Sequence, residues 1–124
     1  LRYEVNPELR SKKMGIQDWS ENVMLVTIAP EPDMCDELKT VMDMIRQRKK
    51  CSVVIDFSEV DIVTSSSLAQ MLRLQKLLDD VDQQFVVCGT SKRTKSIFDV
   101  TGLDKVFEFV EDKFTALAGL QLAS

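Results

Sequence analysis

The 124 residues carry 44% apolar and 29% charged side chains, the composition of one soluble globular domain rather than of a disordered chain. Sixteen Lys and Arg against twenty Asp and Glu leave a net charge of -4, the wrong sign for a general nucleic-acid binder. Histidine is absent, which removes Ser-His and Cys-His nucleophile pairs, phosphohistidine chemistry and the commonest zinc sites together.

Residues 1–13 mix charges with Pro7 and show no period; they are expected as a loose N-terminal segment ahead of a single domain over 14–124. Residues 14–19 alternate as a short strand, and Ser20-Glu21-Asn22 is turn material. Residues 23–29 read as a buried strand with Met24, Val26 and Ile28 on one face, stopped by Pro30 and Pro32. Asp33 takes the N-cap position of a helix with Asp36 and Glu37 in its first turn. Met34, Leu38, Val41, Met42 and Ile45 form the apolar stripe of that helix. Arg46, Arg48, Lys49 and Lys50 close it as cations that complement the dipole, a reading favoured over a phosphate-binding patch.

Residues 51–57 are almost continuously apolar, as an inner strand of a parallel sheet requires. A loop over 58–63 follows, and Thr64-Ser65-Ser66-Ser67 opens a helix whose buried face is Leu68, Met71, Leu72, Leu74, Leu77 and Leu78. Residues 85–89 are another core strand, and 91–100 a short helix with Gly102 as its left-handed cap. Residues 105–110 read as a brief strand with Phe107 and Phe109 on one side. Phe114, Leu117, Ala118 and Gln121 pattern a last helix. The order β-β-α-β-α-β-α-β-α predicts one α/β domain. It has a mixed, mostly parallel sheet of four to five strands, about four helices and right-handed crossovers.

The cysteines Cys35, Cys51 and Cys88 have no Cys-x-x-Cys spacing and lie among apolar residues, so they read as small buried hydrophobes of a reducing compartment. No apolar run reaches the roughly 18 residues of a membrane span and no signal-like start is present. The chain is therefore expected in the cytoplasm, with no insertion into a membrane. Its first residue is Leu1 rather than Met, which is compatible with a longer parent protein.

Sites in open α/β sheets gather at the carboxyl ends of strands beside helix N-termini. The four hydroxyls at 64–67 fall there. In the structural account one serine caps the helix and the others are solvated neighbours. In the functional account one is a phosphoacceptor: free N–H groups and the dipole accommodate a phosphoryl group. Its nearly two negative charges then repel a docked partner. Glycines at 15, 89, 102 and 119 are too scattered for a phosphate cradle, and no base accompanies a hydrolase serine. Asp56, Glu59 and Asp61 could hold Mg²⁺ as in a receiver domain, but Pro30-Glu31-Pro32-Asp33 lacks the acidic pair such a site needs. Neither a metal nor a cofactor is expected.

Two stretches resemble the STAS domains of the anti-sigma factor antagonist family. Val53-Val54-Ile55-Asp56-Phe57-Ser58, followed by Ile62-Val63-Thr64-Ser65-Ser66-Ser67-Leu68-Ala69, is similar to that family's apolar strand, Asp-Leu-Ser, apolar pair and Asp-Ser-Ser-Gly-Leu-Gly. Ile97-Phe98-Asp99-Val100-Thr101-Gly102-Leu103 is similar to its Leu-Phe-Asp-x-x-Gly-Leu segment. The resemblance covers about Val23 to Leu120 and implies a partner-switching regulator without enzymatic activity. In the family, the serine after the motif aspartate is phosphorylated by an anti-sigma factor serine kinase with a histidine-kinase-like ATPase fold. A PP2C-type phosphatase resets it. The resemblance maps the acceptor onto Ser65, with Ser66 and Thr64 as alternatives. It maps the partner-binding surface onto Asp33, Asp61, Thr64, Ser65, Ser66, Ser67 and Leu68; a homodimer is also compatible with it. Thr64 and Ser67 replace the motif's aspartate and glycine, Ser67 adding a side chain to a bare partner-facing surface. Pro30-Glu31-Pro32-Asp33 stands where the family has Gly-Glu-Leu-Asp. These departures leave a second reading, an unphosphorylated interaction domain serving a transporter or a sensory complex.

Overall fold

The computed structural model of the chain describes residues 15–48 and 50–123, so the expected loose segment at 1–13 lies outside the described residues. Five strands form one sheet in sequence order: β1 (Gly15–Ser20), β2 (Val23–Thr27), β3 (Ser52–Asp56), β4 (Phe85–Cys88) and β5 (Glu108–Val110). β1 runs antiparallel to β2, and every later pair is parallel. Helices α1 (Met34–Arg46), α2 (Ser65–Asp79) and α3 (Lys92–Thr101) connect the parallel strands, and α4 (Lys113–Ala123) follows β5. This is the α/β order read from the sequence, with five strands and four helices.

The two-residue period of the strands divides the core into two faces. Met24, Val26, Val53, Ile55, Phe85 and Val87 point to one side. They meet the stripe of α1, Met71, Leu74 and Leu78 of α2, and Phe98 of α3. Val23, Leu25, Val54, Val86 and Cys88 point the other way, onto Ala116, Leu117 and Leu120 of α4. β3 is buried along its whole length, as its unbroken apolar run demands. At about 1.5–3 kcal/mol per fully buried Val, Leu, Ile, Phe or Met side chain, the three-helix face carries most of the stabilisation.

Several expectations need correction. Leu72 is 39% exposed, because the inward arc of α2 runs through Ser67, Gln70, Met71, Leu74 and Leu78. Phe114 is 69% exposed, and Ala118 is exposed too. α4 turns its 116, 117 and 120 positions to the sheet instead, leaving the Phe114 ring under the Lys113 ammonium at 5.7 Å. The last strand is shorter than 105–110, since a 3-10 turn occupies Leu103–Lys105. That turn delivers Phe107 edge-on against Phe85 and Phe98, both at 5.7 Å between centroids. Cys35 is half-buried rather than buried. Of the basic run after α1, Arg48 donates to Asp18 of β1 at 2.8 Å and to Cys51 Sγ at 3.5 Å, a structural use. Among the described residues no helix is long and apolar enough to cross a membrane.

Candidate functional site

The carboxyl ends of β2, β3 and β4 share one rim of the sheet and lead into residues 28–33, 57–64 and 89–91. The middle loop is held by what it buries. Asp56 Oδ1 accepts the Ser58 N–H at 3.0 Å, the local turn that aspartate favours. Val60 N–H donates back to the Phe57 carbonyl at 2.9 Å. Phe57, Val60 and Val63 are buried, so the intervening Ser58, Glu59, Asp61 and Ile62 are turned outward. Beyond β4, Gly89 has φ +70°, and a Cβ there would lie 2.5 Å from Asp56 Oδ1. Only glycine satisfies both conditions without movement.

Asp61 is pinned to the start of α3. Its carbonyl accepts from the buried Thr94 hydroxyl at 3.4 Å, and its carboxylate meets Arg93 at 3.2 Å. Both ends of that ion pair are exposed, so it contributes about 1 kcal/mol or less.

Thr64 is the N-cap of α2, in extended conformation (φ -91°, ψ 165°), and its Oγ1 accepts the Ser67 N–H at 3.2 Å. The cap is therefore the threonine, not one of the serines. Its hydroxyl donates to Glu31 Oε2 at 3.0 Å, and its backbone N–H donates to the same oxygen at 3.0 Å. Glu31 belongs to the loop after β2, which is itself secured by the Ala29 N–H donating to Glu37 Oε1 at 2.9 Å.

Ser65 and Ser66 are the first two residues of α2, and both are exposed. Neither side chain has a hydrogen-bond partner among the described residues. Ser67 is the correction: it is fully buried and its Oγ has no partner among the described residues, so it offers nothing to a visiting protein. The cause is helical phase, which stacks position 67 above 70, 71, 74 and 78 on the inward face. Leu68 is half-buried against the core and offers only an edge. Asp33 is exposed at the N-cap of α1, where its side chain makes no cap bond.

Glu31, bonded to Thr64, and the exposed Ile62 (53%) also lie on this rim, and the sequence reading did not single them out. The signal for Glu31 was present: Pro30-Glu31-Pro32-Asp33 keeps the Glu-x-Asp spacing of the family's Gly-Glu-Leu-Asp. Behind the rim, burial pushes the Cys88 thiol up to about 12, with Asp56 and Asp112 adding to it. That keeps the thiol protonated and inert.

A sequence profile described as the STAS domain matches residues 21–116, and the chain belongs to the STAS domain family. A curated relative, an anti-sigma F factor antagonist from Paenibacillus polymyxa, is 26% identical over 105 residues, 82% of this chain and 90% of the relative. An anti-sigma-factor antagonist (STAS) domain protein from Planctomyces limnophilus superposes with a TM-score of 0.74 at 20% identity, over 90% of this chain and 98% of that one. A sulfate transporter family protein from Wolinella succinogenes has a TM-score of 0.68 at 16% identity, over 94% and 96%.

Proposed function

We propose that this chain is a partner-switching regulator of the anti-sigma factor antagonist type. It binds an anti-sigma factor serine kinase and is switched off by phosphorylation of Ser65. The observation that carries the reading is the placement of Ser65. Its hydroxyl is exposed and unpartnered among the described residues, on the first residue of a long helix directly after the cap. A phosphoryl group there meets free backbone N–H groups, so the folded chain accommodates the product. A docked partner instead meets close to two extra negative charges. The partner surface comprises Asp33, Asp61, Thr64, Ser65, Ser66 and the edge of Leu68, with Ile62 as its apolar contact. The chain acts as substrate and binding module, reset by a PP2C-type phosphatase.

Phosphorylated and unphosphorylated chain are compared by calorimetric titration with the kinase recovered from the parent cells. Phosphorylation is expected to weaken binding by about 1–4 kcal/mol, several-fold to thousand-fold. Equal affinities, or phosphate mapping to none of Thr64, Ser65 and Ser66 after incubation with ATP, would end the reading.

The second reading, an unphosphorylated STAS domain serving a transporter or sensory complex, draws on the threonine in place of the motif aspartate. It draws also on the likeness to the Wolinella protein. Recovery of transporter subunits with an unphosphorylated chain would favour it.

A further inference from the structure

We infer that Glu31 selects the acceptor, by tying up the Thr64 hydroxyl and leaving the phosphoryl group to the serine beside it; this rests on the phosphorylation reading above. Three adjacent exposed hydroxyls open α2, and consecutive Cα atoms lie only about 3.8 Å apart. A kinase that recognises the helix start by shape needs something more to distinguish residue 64 from residue 65.

The hydrogen bonds supply it. A hydroxyl has one proton and two lone pairs. The Thr64 proton is donated to Glu31 Oε2, and one lone pair accepts the Ser67 N–H. The same carboxylate oxygen also holds the Thr64 N–H, which fixes the residue from both sides. Phosphorylating Thr64 would displace a hydrogen bond to a carboxylate and set a dianion against that carboxylate at close range. Ser65 has neither obstacle. Glu31 is flanked by Pro30 and Pro32, whose fixed φ angles limit the freedom of the loop, and the Ala29–Glu37 bond secures the loop's base.

In the transfer itself, the bond between the γ-phosphorus of ATP and its β,γ-bridging oxygen breaks. A bond forms from Ser65 Oγ to that phosphorus, and ADP leaves with the electron pair. The serine proton passes to a carboxylate base of the kinase. Glu31 takes no proton and acts as a positioning residue.

The test isolates the chain, Glu31→Ala and Glu31→Gln from the parent cells, and resolves phosphate on residues 64, 65 and 66 by tandem mass spectrometry. Amide exchange at Thr64 is followed by NMR on the unphosphorylated proteins. Phosphate is expected on Ser65 in the unaltered chain. In Glu31→Ala the ratio of Thr64 to Ser65 phosphate should rise about ten-fold and Thr64 amide exchange should quicken about ten-fold, with Glu31→Gln intermediate. Phosphate on Thr64 of the unaltered chain, or an unchanged ratio in Glu31→Ala, overturns the inference and leaves the switch standing. Phosphate on none of the three hydroxyls overturns the switch and the inference together.

Discussion

Ser67 hides a hydroxyl that has no partner among the described residues, in a position where the family motif has glycine. An unsatisfied buried polar atom costs about 1–3 kcal/mol. Ser67→Ala removes that atom without opening a cavity and improves helix propensity. Urea unfolding should therefore find Ser67→Ala more stable than the parent by about 1 kcal/mol; a loss of stability would mean that the hydroxyl has a partner in solution. Cys88 makes the opposite kind of residue-scale statement. Its thiol titrates near the ordinary 9.0 when unfolded and at about 12 when buried, so the folded state keeps a proton the unfolded state sheds between those values. Its contribution is fully present below about pH 9 and declines as pH rises towards about 12. Between about pH 8 and about pH 10.5, Cys88→Ala should lose less of its urea stability than the parent. An identical loss in both would assign the alkaline weakening elsewhere. Single residues were legible in the sequence where their role is local. The hydroxyl run at a helix start, the left-handed glycine at 102 (φ +80°) and the acidic first turn of α1 all follow from neighbours a few positions away. The Glu31–Thr64 pair spans 33 positions and exists only once two loops share a rim.

Elements were legible according to how strong their period is. α1 has an unambiguous stripe, and its five expected core residues are the ones buried. β3 could be read from its apolar run alone. α4 is apolar on more than one side, so sequence spacing could not fix its phase; the sheet does so by accepting Ala116, Leu117 and Leu120. Leu117→Ala should therefore cost about 2–5 kcal/mol, whereas Phe114→Ser should stay within about 0.5 kcal/mol of the parent. Comparable losses for the two in thermal or urea unfolding would show that α4 sits in the other phase. The 3-10 turn after α3 escaped notice because three residues carry no period. Its effect is nonetheless large, since it sets Phe107 between Phe85 and Phe98.

At the scale of the whole molecule, sequential strand order gives the site its form. Successive parallel connections place α1, α2 and α3 over one face and bring the loops after β2, β3 and β4 to one rim. The exposed Asp33, Asp61 and Ser65 thereby fall on one rim, although they lie on two separate loops and a helix. The alternation of strands and helices made this architecture readable before any coordinate. The way the rim is buttoned together, by Glu31 to Thr64 between loop and helix cap and by Thr94 of α3 to Asp61, depended on the assembled fold. The same ordering bears on how the chain is made. Each strand lies beside the one synthesised just before it, so the sheet can lengthen as the polypeptide leaves the ribosome, with short loop closures throughout. Until α4 emerges, Val54, Val86 and Cys88 lack the helix that covers them, and the nascent domain is most vulnerable to aggregation during that interval.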